Sequence, residues 1–439
     1  MKKLNLFLSF LLCALFCLSA VACELNFKGT EKAETVDGDN GIHLDVSGRV
    51  DGVKDAYISD GLISGEGGVA SESGSGAEYA SGLITAMAWD DNANYGLWTE
   101  LFYKGQGEED TGKFAYYSDG KESWGFNTLN RVKVTVKNND GTPACGVKVY
   151  LESENDKQVA KTDNRGIAFL FPAAESGTVT VNGEEKTFDK DCRELSFDLS
   201  ENAEKAELIN IMLVVDVTGS MGDELEFLKS ELKDVVNRTA ALVDGAKIRL
   251  SLLFYRDDED EEEFRFFDFA DVTDEQNLNA KIKEISSQRA DGGGDYPEAV
   301  DAALTIAMEK EWGEENSTNI IFHVLDAPPH SEEKHRTTYN AAINAAATKG
   351  IRICPILCSG ADGLTEYLIR QAAIFTGGTS IFVTDHSGIG ETHLDPELPN
   401  AVVEKLNDLM IRLISGYYNG VFDAPVAYNV SSKTTQNND

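Results

Sequence analysis

Leu208-Ile209-Asn210-Ile211-Met212-Leu213-Val214-Val215-Asp216-Val217-Thr218-Gly219-Ser220-Met221-Gly222 is the stretch on which the fold turns. Its first half is an apolar run, as expected of a strand buried on both faces. A helical pattern follows, with Leu225, Leu228, Leu232, Val235 and Val236 on one face. Strands are then expected over Ile248–Tyr255 and Phe264–Phe269, with a helix near Thr273–Ser287 and another from Pro297. Next come a strand at Asn319–Leu325, a helix over Thr338–Thr348 and a strand at Ile351–Leu357. A helix from Thr365, a strand at Ser380–Val383 and a last helix from Val402 to Ile414 complete the series. This alternation predicts an α/β doubly wound, Rossmann-like sheet over residues 206–418. Residues 419–439 are left as a C-terminal tail.

The chemistry lies where that first strand ends. In open α/β sheets ligands bind beyond the carboxyl ends of the strands, at the switch point. Asp216, Thr218 and Ser220 put one carboxylate and two hydroxyls on a tight turn there, the hard oxygen donors that Mg2+ requires. Two later segments share this composition: Ala290-Asp291-Gly292-Gly293-Gly294-Asp295-Tyr296-Pro297-Glu298-Ala299, and Asp326-Ala327-Pro328-Pro329-His330 after the next buried strand. The glycines let backbone approach an ion, and Pro297 starts a helix well.

Asp216-Val217-Thr218-Gly219-Ser220 resembles the metal-ion-dependent adhesion site of von Willebrand factor type A (VWA) domains. Gly-Gly-Gly-Asp-x-Pro-Glu and Asp-Ala-Pro-Pro-His resemble the branch of that family found in hemicentins, VWA-linked alpha-kinases and bacterial surface proteins. The resemblance covers roughly half the chain. It implies a divalent ion, Mg2+ with Ca2+ or Mn2+ as alternatives, held by Asp216, Thr218, Ser220, Asp295 and Asp326, and a protein ligand. Most such sites carry Thr in the second loop, where this chain aligns Asp295. Three carboxylates then surround the ion, and the local formal charge is about −1 in place of zero. A less electrophilic ion implies weaker capture of acidic ligands, tighter metal retention, or Ca2+ accepted beside Mg2+.

The chain has 439 residues, 39 basic against 75 acidic, for a net charge of −36. That field disfavours nucleic acid and bare anionic membrane, and leaves metal cations and basic protein surfaces as partners. Residues Asp257 to Glu263 are seven acidic residues in a row, between Tyr255 and Phe264. They read either as a solvated turn or as an acidic rim beside the metal loops that gathers cations.

Upstream, Lys2 and Lys3 precede an apolar run from Leu4 to Ala22, a signal peptide over 1–22. Ala20-Val21-Ala22-Cys23 resembles a bacterial lipobox, which implies lipidation of Cys23 and a membrane anchor. Ala at the first lipobox position leaves cleavage without lipid open, and with it secretion. Residues 23–82 are rich in Gly, Ser and Asp and read as a flexible tether. Aromatics return over 83–127, among them Trp89, Trp98, Phe102, Tyr117, Trp124 and Phe126, and predict packing for a small subdomain or a ligand platform.

Residues 128–200 alternate in strand fashion, with turn signals at Asn139-Asp140-Gly141, Asp163-Asn164-Arg165-Gly166 and Asn182-Gly183. They predict a small all-β sandwich that resembles the transthyretin-like Ig fold and is read as a spacer. Four of the seven cysteines lie beyond Cys23. Cys145 and Cys192 are the candidate disulfide of an exported chain. Cys354 and Cys358, four apart on one strand, are too distant to bridge and read as buried thiols.

No nucleophile, base and orienter assemble in the sequence, so an enzyme is not expected. His323 lies on a buried strand as a core histidine; His330 is a candidate outer-shell group. Two functions remain. One is an exported, surface-anchored or periplasmic, metal-dependent protein-binding or adhesion module. The other is a docking subunit or assembly partner of an envelope enzyme or complex.

Overall fold

A computed structural model describes residues 81–429 apart from 105–115, 118–122, 155, 205, 243–245, 259, 314–315 and 391. The expected signal peptide, Cys23 and all but the end of the tether lie outside these residues. Strand β1 (Thr85–Trp89) and helix α1 (Tyr95–Lys104) come first. The strands β2 (Val132–Lys137), β3 (Lys148–Ser153), β4 (Lys157–Lys161), β5 (Ile167–Leu170), β6 (Gly177–Val181), β7 (Glu184–Phe188) and β8 (Glu194–Asp198) follow. The remainder runs β9 (Leu208–Asp216), α2 (Gly222–Leu242), β10 (Lys247–Tyr255), β11 (Phe264–Asp271), α3 (Glu275–Ser286) and α4 (Val300–Met308), then β12 (Ser317–Leu325) and α5 (Glu333–Lys349). It closes with β13 (Ile351–Leu357), α6 (Gly363–Thr376), β14 (Ser380–Val383), β15 (Val403–Lys405) and α7 (Leu406–Asn419).

The main sheet has the order β11-β10-β9-β12-β13-β14-β1-β15. β10, β9, β12, β13 and β14 run parallel, and β11, β1 and β15 pair antiparallel to their neighbours. Every residue of β9 is buried. Alternate side chains of β9 enter different cores: Met212 and Val214 pack with α4, α5 and α6, and Ile211, Leu213 and Val215 with α2 and α7. Helices on both faces explain why β9 is an unbroken apolar run. From β9 the chain goes to β10 on one side of the sheet and returns to β12 on the other. The switch point therefore lies between the ends of β9 and β12, at Asp216 and Asp326.

The described residues of the segment expected as a separate subdomain, 83–127, do not stand apart: β1 joins this sheet, and the aromatics after it enter the core on one face. β1 pairs with β14 through Ala86↔Val383 to Trp89↔Ser380, and with β15 on its other side. The carboxylate of Glu231 on α2 accepts from the amides of Gly82, Leu83 and Ile84 at 2.7–3.1 Å and fixes the entry of the strand. Trp98, Phe102 and Tyr117 pack edge-to-face on one another, and the last two also against Tyr367 of α6. Beneath them Arg370, 1% exposed, is held by Asp91 at 2.6 and 3.0 Å and by Glu366 at 2.9 Å. The density of aromatics in the sequence reported packing and not its partner, which lies some 250 residues away in sequence. The last helix begins at Leu406, four residues later than expected, because Val403–Lys405 pair with β1. The chain beyond it returns along that strand, Tyr428 N donating to Val403 O at 2.7 Å.

Residues 132–198 form a three-stranded sheet, β5-β2-β8, and a four-stranded one, β4-β3-β6-β7, around one apolar cluster that includes Val134, Val149, Leu170, Val179 and Phe197. Asn182 and Gly183, both at positive φ, make the two-residue turn from β6 to β7. Asn164 Nδ2 reaches Thr318 Oγ1 and the carbonyls of Tyr417 and Tyr418 at 2.6–2.8 Å, and Phe171 stacks on Phe375.

Cys145 and Cys192 are both free, contrary to the disulfide expectation. Cys192 lies two residues before Glu194, which pairs with Lys133 of β2, and Cys145 lies two residues after Pro143, which bridges Lys137. Cys354 and Cys358 are buried thiols, both with pKa pushed up by burial, Cys354 to about 11.

Candidate metal centre

Asp216 ends β9 fully buried, with Tyr255 of β10 beside it. Its Oδ1 accepts from Thr218 N at 2.9 Å and Thr218 Oγ1 at 2.7 Å, and Thr218 Oγ1 lies 3.2 Å from Ser220 Oγ. A short 3-10 turn over Gly219–Met221 leads into α2. The second loop closes on this turn through Gly219 N to Gly292 O at 3.1 Å and Asp291 N to Val217 O at 3.0 Å. Gly292 and Gly293 both take φ near +77°. A Cβ at Gly293 would stand 3.1 Å from Glu298 Oε1 and 3.2 Å from Thr218 Cβ, so only glycine fits. The third loop adds Asp326, 3% exposed, whose backbone carbonyl accepts from the Tyr296 hydroxyl at 3.2 Å. Glu298 N in turn donates to Pro328 O at 3.0 Å.

Among the described residues, three buried carboxylate oxygens at these loops have no hydrogen-bond partner: Asp216 Oδ2, Asp326 Oδ1 and Glu298 Oε2. Burial, reinforced by the charge of Asp326, pushes Asp216 up to about 7. Burial pushes Asp326 up to about 6 against the hydrogen bond from Ser220. Burial, then the charges of Asp216, Asp257 and Asp326, pushes Glu298 up to about 9. Below this group Tyr255 Oη and His323 Nε2 hydrogen-bond at 3.0 Å, and burial lowers His323 to about 3, so the ring is neutral, a core histidine. Orphaned buried carboxylates beside two hydroxyls form an anionic, all-oxygen donor set. Leaving such oxygens without a proton or a cation is costly, and a hard divalent cation fits them.

The structure thus brings Asp216, Thr218, Ser220 and Asp326 together and places Asp295 elsewhere. Asp295 is exposed and joins Asp257 and His330, with one donor atom from each within 4.8 Å of the others. The third carboxylate beside Asp216 and Asp326 is Glu298, three residues further on. The helix expected from Pro297 begins only at Val300; ahead of it Glu298 forms a single β-bridge to Pro329 of the third loop and is buried, whereas Asp295 is exposed. His330 bonds Asp257 Oδ1 at 2.8 Å.

Two carboxylates and two hydroxyls gathered at the switch point of a doubly wound sheet define a class of protein domain with a cation-type binding crevice. Residues 210–390 match the von Willebrand factor type A domain family, and the chain carries a VWA domain there. VWA domains often bind a divalent metal and commonly mediate protein–protein interaction. The alpha-protein kinase vwkA of Dictyostelium discoideum is 30% identical over 140 residues, covering 30% of this chain and 20% of the kinase. A putative ariadne-like RING finger protein of Acanthamoeba polyphaga mimivirus is 25% identical over 198 residues, covering 40% of this chain and 18% of its own length. The chain therefore spans about a fifth of the length of the relatives it matches.

Proposed function

We propose that this protein is an exported, surface-anchored module that binds a protein ligand through a divalent cation held at the switch point of its VWA domain. The observation that supports this most is the set of orphaned oxygens on Asp216, Asp326 and Glu298. Asp216, Ser220, Thr218 and Asp326 would hold the ion, with Glu298 as third carboxylate in place of Asp295. A bound divalent cation supplies an electrophilic point of attachment for a ligand oxygen. The protein's own part is to keep the donors dry, to orient the hydroxyls through Asp216 Oδ1, and to frame the crevice with the half-exposed Tyr296. Mg2+ suits the oxygen-only set, and three carboxylates also favour Ca2+ or Mn2+. Lipidation of Cys23 provides the anchor in this reading.

In this reading the protein is a binding module and carries no catalytic role. Calorimetric titration of the chelator-stripped full chain with Mg2+, Ca2+ and Mn2+ tests the function, with Asp216→Ala as control. Saturable binding lost in the control is expected. Absence of binding by the unaltered chain would sink the cation reading and leave the docking subunit, whose partner would co-purify with or without divalent ions.

A further inference from the structure

A second set of donors lies beside the first, one from each of three loops: Asp257 after β10, Asp295 in the glycine loop and His330 after β12. We propose that Asp257, Asp295 and His330 bind a second divalent cation, of the transition-metal class typified by Zn2+ and Mn2+, next to the oxygen-only site.

The donor set differs in kind from the first. It combines one imidazole nitrogen with two carboxylates, and imidazole suits Zn2+ and its neighbours where Mg2+ prefers oxygen alone. The donor atoms lie within 4.8 Å of one another. Donors about 2.1 Å from a tetrahedral ion stand about 3.4 Å apart, so small side-chain shifts suffice. The 2.8 Å contact between His330 Nε2 and Asp257 Oδ1 is the edge that must open, its shared proton going to solvent as the cation takes its place.

Glu298 of the first site feels the charge of this second group as well. It is 3% exposed, has an oxygen without a partner, and is acted on by the charges of Asp216, Asp257 and Asp326 alike. One side of the glycine loop meets it, the hypothetical Cβ of Gly293 lying 3.1 Å from Glu298 Oε1. The other side meets Asp257, with Gly294 3.9 Å from its Oδ2. Three flanking carboxylates deepen the negative field: Asp258, Asp260 and Glu263, the last pushed up by burial and by repulsion from Asp258, Asp257 and Asp260. His335 lies behind His330, ring centroids 5.1 Å apart, and is occupied by Asp301 at 3.1 Å.

This inference does not need the first site, and one experiment separates them. The full chain, stripped with chelator, is titrated with Mn2+ followed by electron paramagnetic resonance, and with Zn2+ by calorimetry. Asp216→Ala, His330→Gln and the pair Asp257→Asn with His330→Gln are measured beside it, each checked for an unchanged melting profile. The expected result is two Mn2+ per unaltered chain and one in Asp216→Ala. In the double variant the remaining ion is retained and the tighter Zn2+ binding is lost. A single ion that disappears in Asp216→Ala and survives in both His330 variants would overturn the second site and leave the first standing. A single ion with the opposite pattern would overturn the first and support the second. No ion in the unaltered chain would overturn both.

Discussion

At the residue scale the identity of the third carboxylate decides what the site does. Asp295 and Glu298 are three positions apart, but one is exposed and the other is buried against Thr218. Glu298→Gln keeps the shape and removes a charge, so it should weaken Mg2+ or Ca2+ binding at the first site by an order of magnitude or more, about 1.4 kcal/mol per decade. Asp295→Thr should leave that affinity unchanged; calorimetry on the two variants reads the difference, and equal losses would mean that Asp295 also touches the ion.

A second residue with a sharp consequence is His393. Its burial opposes a charge, yet the bonds to Glu224 and Asp385 prevail and raise its pKa above the usual value. Burial likewise opposes charge on Glu224, and the bonds from His393, Cys358 and Ser359 prevail and lower it. A raised histidine stabilises the fold fully below its unfolded pKa, near 6.5, and that stability is lost as pH rises through the folded pKa. A lowered Glu stabilises above its unfolded pKa and is lost as pH falls through its folded value. The bridge is therefore strongest between roughly pH 5 and 6.5. His393→Gln should lower Tm by about 2–6 °C in that window and by less above it, as thermal melts across pH will show. A difference that grows with rising pH would mean that the charged bridge does not stabilise the fold.

At the element scale, β1 and the aromatic stretch after it belong to the VWA sheet. A fragment starting at residue 128 loses Trp98, Leu101, Phe102, Tyr117, Trp124 and Phe126 from the core and strips Asp91 from the buried Arg370. Large aromatics bury roughly 150–250 Å2 each, so this fragment should lack a cooperative melt, whereas one starting at residue 74 should keep it. Circular dichroism on the two fragments decides; a cooperative melt of the shorter one would mean that β1 is dispensable. Within the longer one, Asp91→Ala leaves a buried guanidinium short of a partner and should cost about 3–5 kcal/mol in denaturant titration.

The same scale shows what pattern reading can reach. Period-two alternation located β2, β3 and β6 because each has one buried face: Val132, Val134 and Val136 point inward and their neighbours outward. The apolar run located β9 because both its faces are covered. Neither rule could place Thr85–Trp89 between β14 and β15. A five-residue apolar strand looks alike in any sheet, and its partners lie some 300 residues away.

At the scale of the whole molecule, charge and position act together. The net charge of −36 is spread over the chain, but part of the run from Asp257 to Glu263 stands at the metal loops, where Asp260 accepts from Gly293 N at 3.0 Å. Replacing Asp258, Glu261, Glu262 and Glu263 by their amides should reduce the salt dependence of association with a cationic peptide, measured in Mg2+ between low and physiological ionic strength. An unchanged slope would make the run a solvated turn. The four positions leave Asp257 and Asp260, which touch the loops, in place.

By itself the sequence determined the period and order of the elements from β9 to β14, the carboxylate and hydroxyls at the end of β9, and the acidic turn, because each depends on residues close together along the chain. Tertiary structure alone decided that Thr85–Trp89 extends the sheet, that Cys145 and Cys192 stay unpaired, and that Glu298 stands by Asp216 and Asp326 while Asp295 joins Asp257 and His330. The physical reason is common to all three. Which of two nearby carboxylates enters a crevice, and which distant strand covers an edge, is set by how separate loops and strands close on one another in space, and spacing along one loop does not encode that.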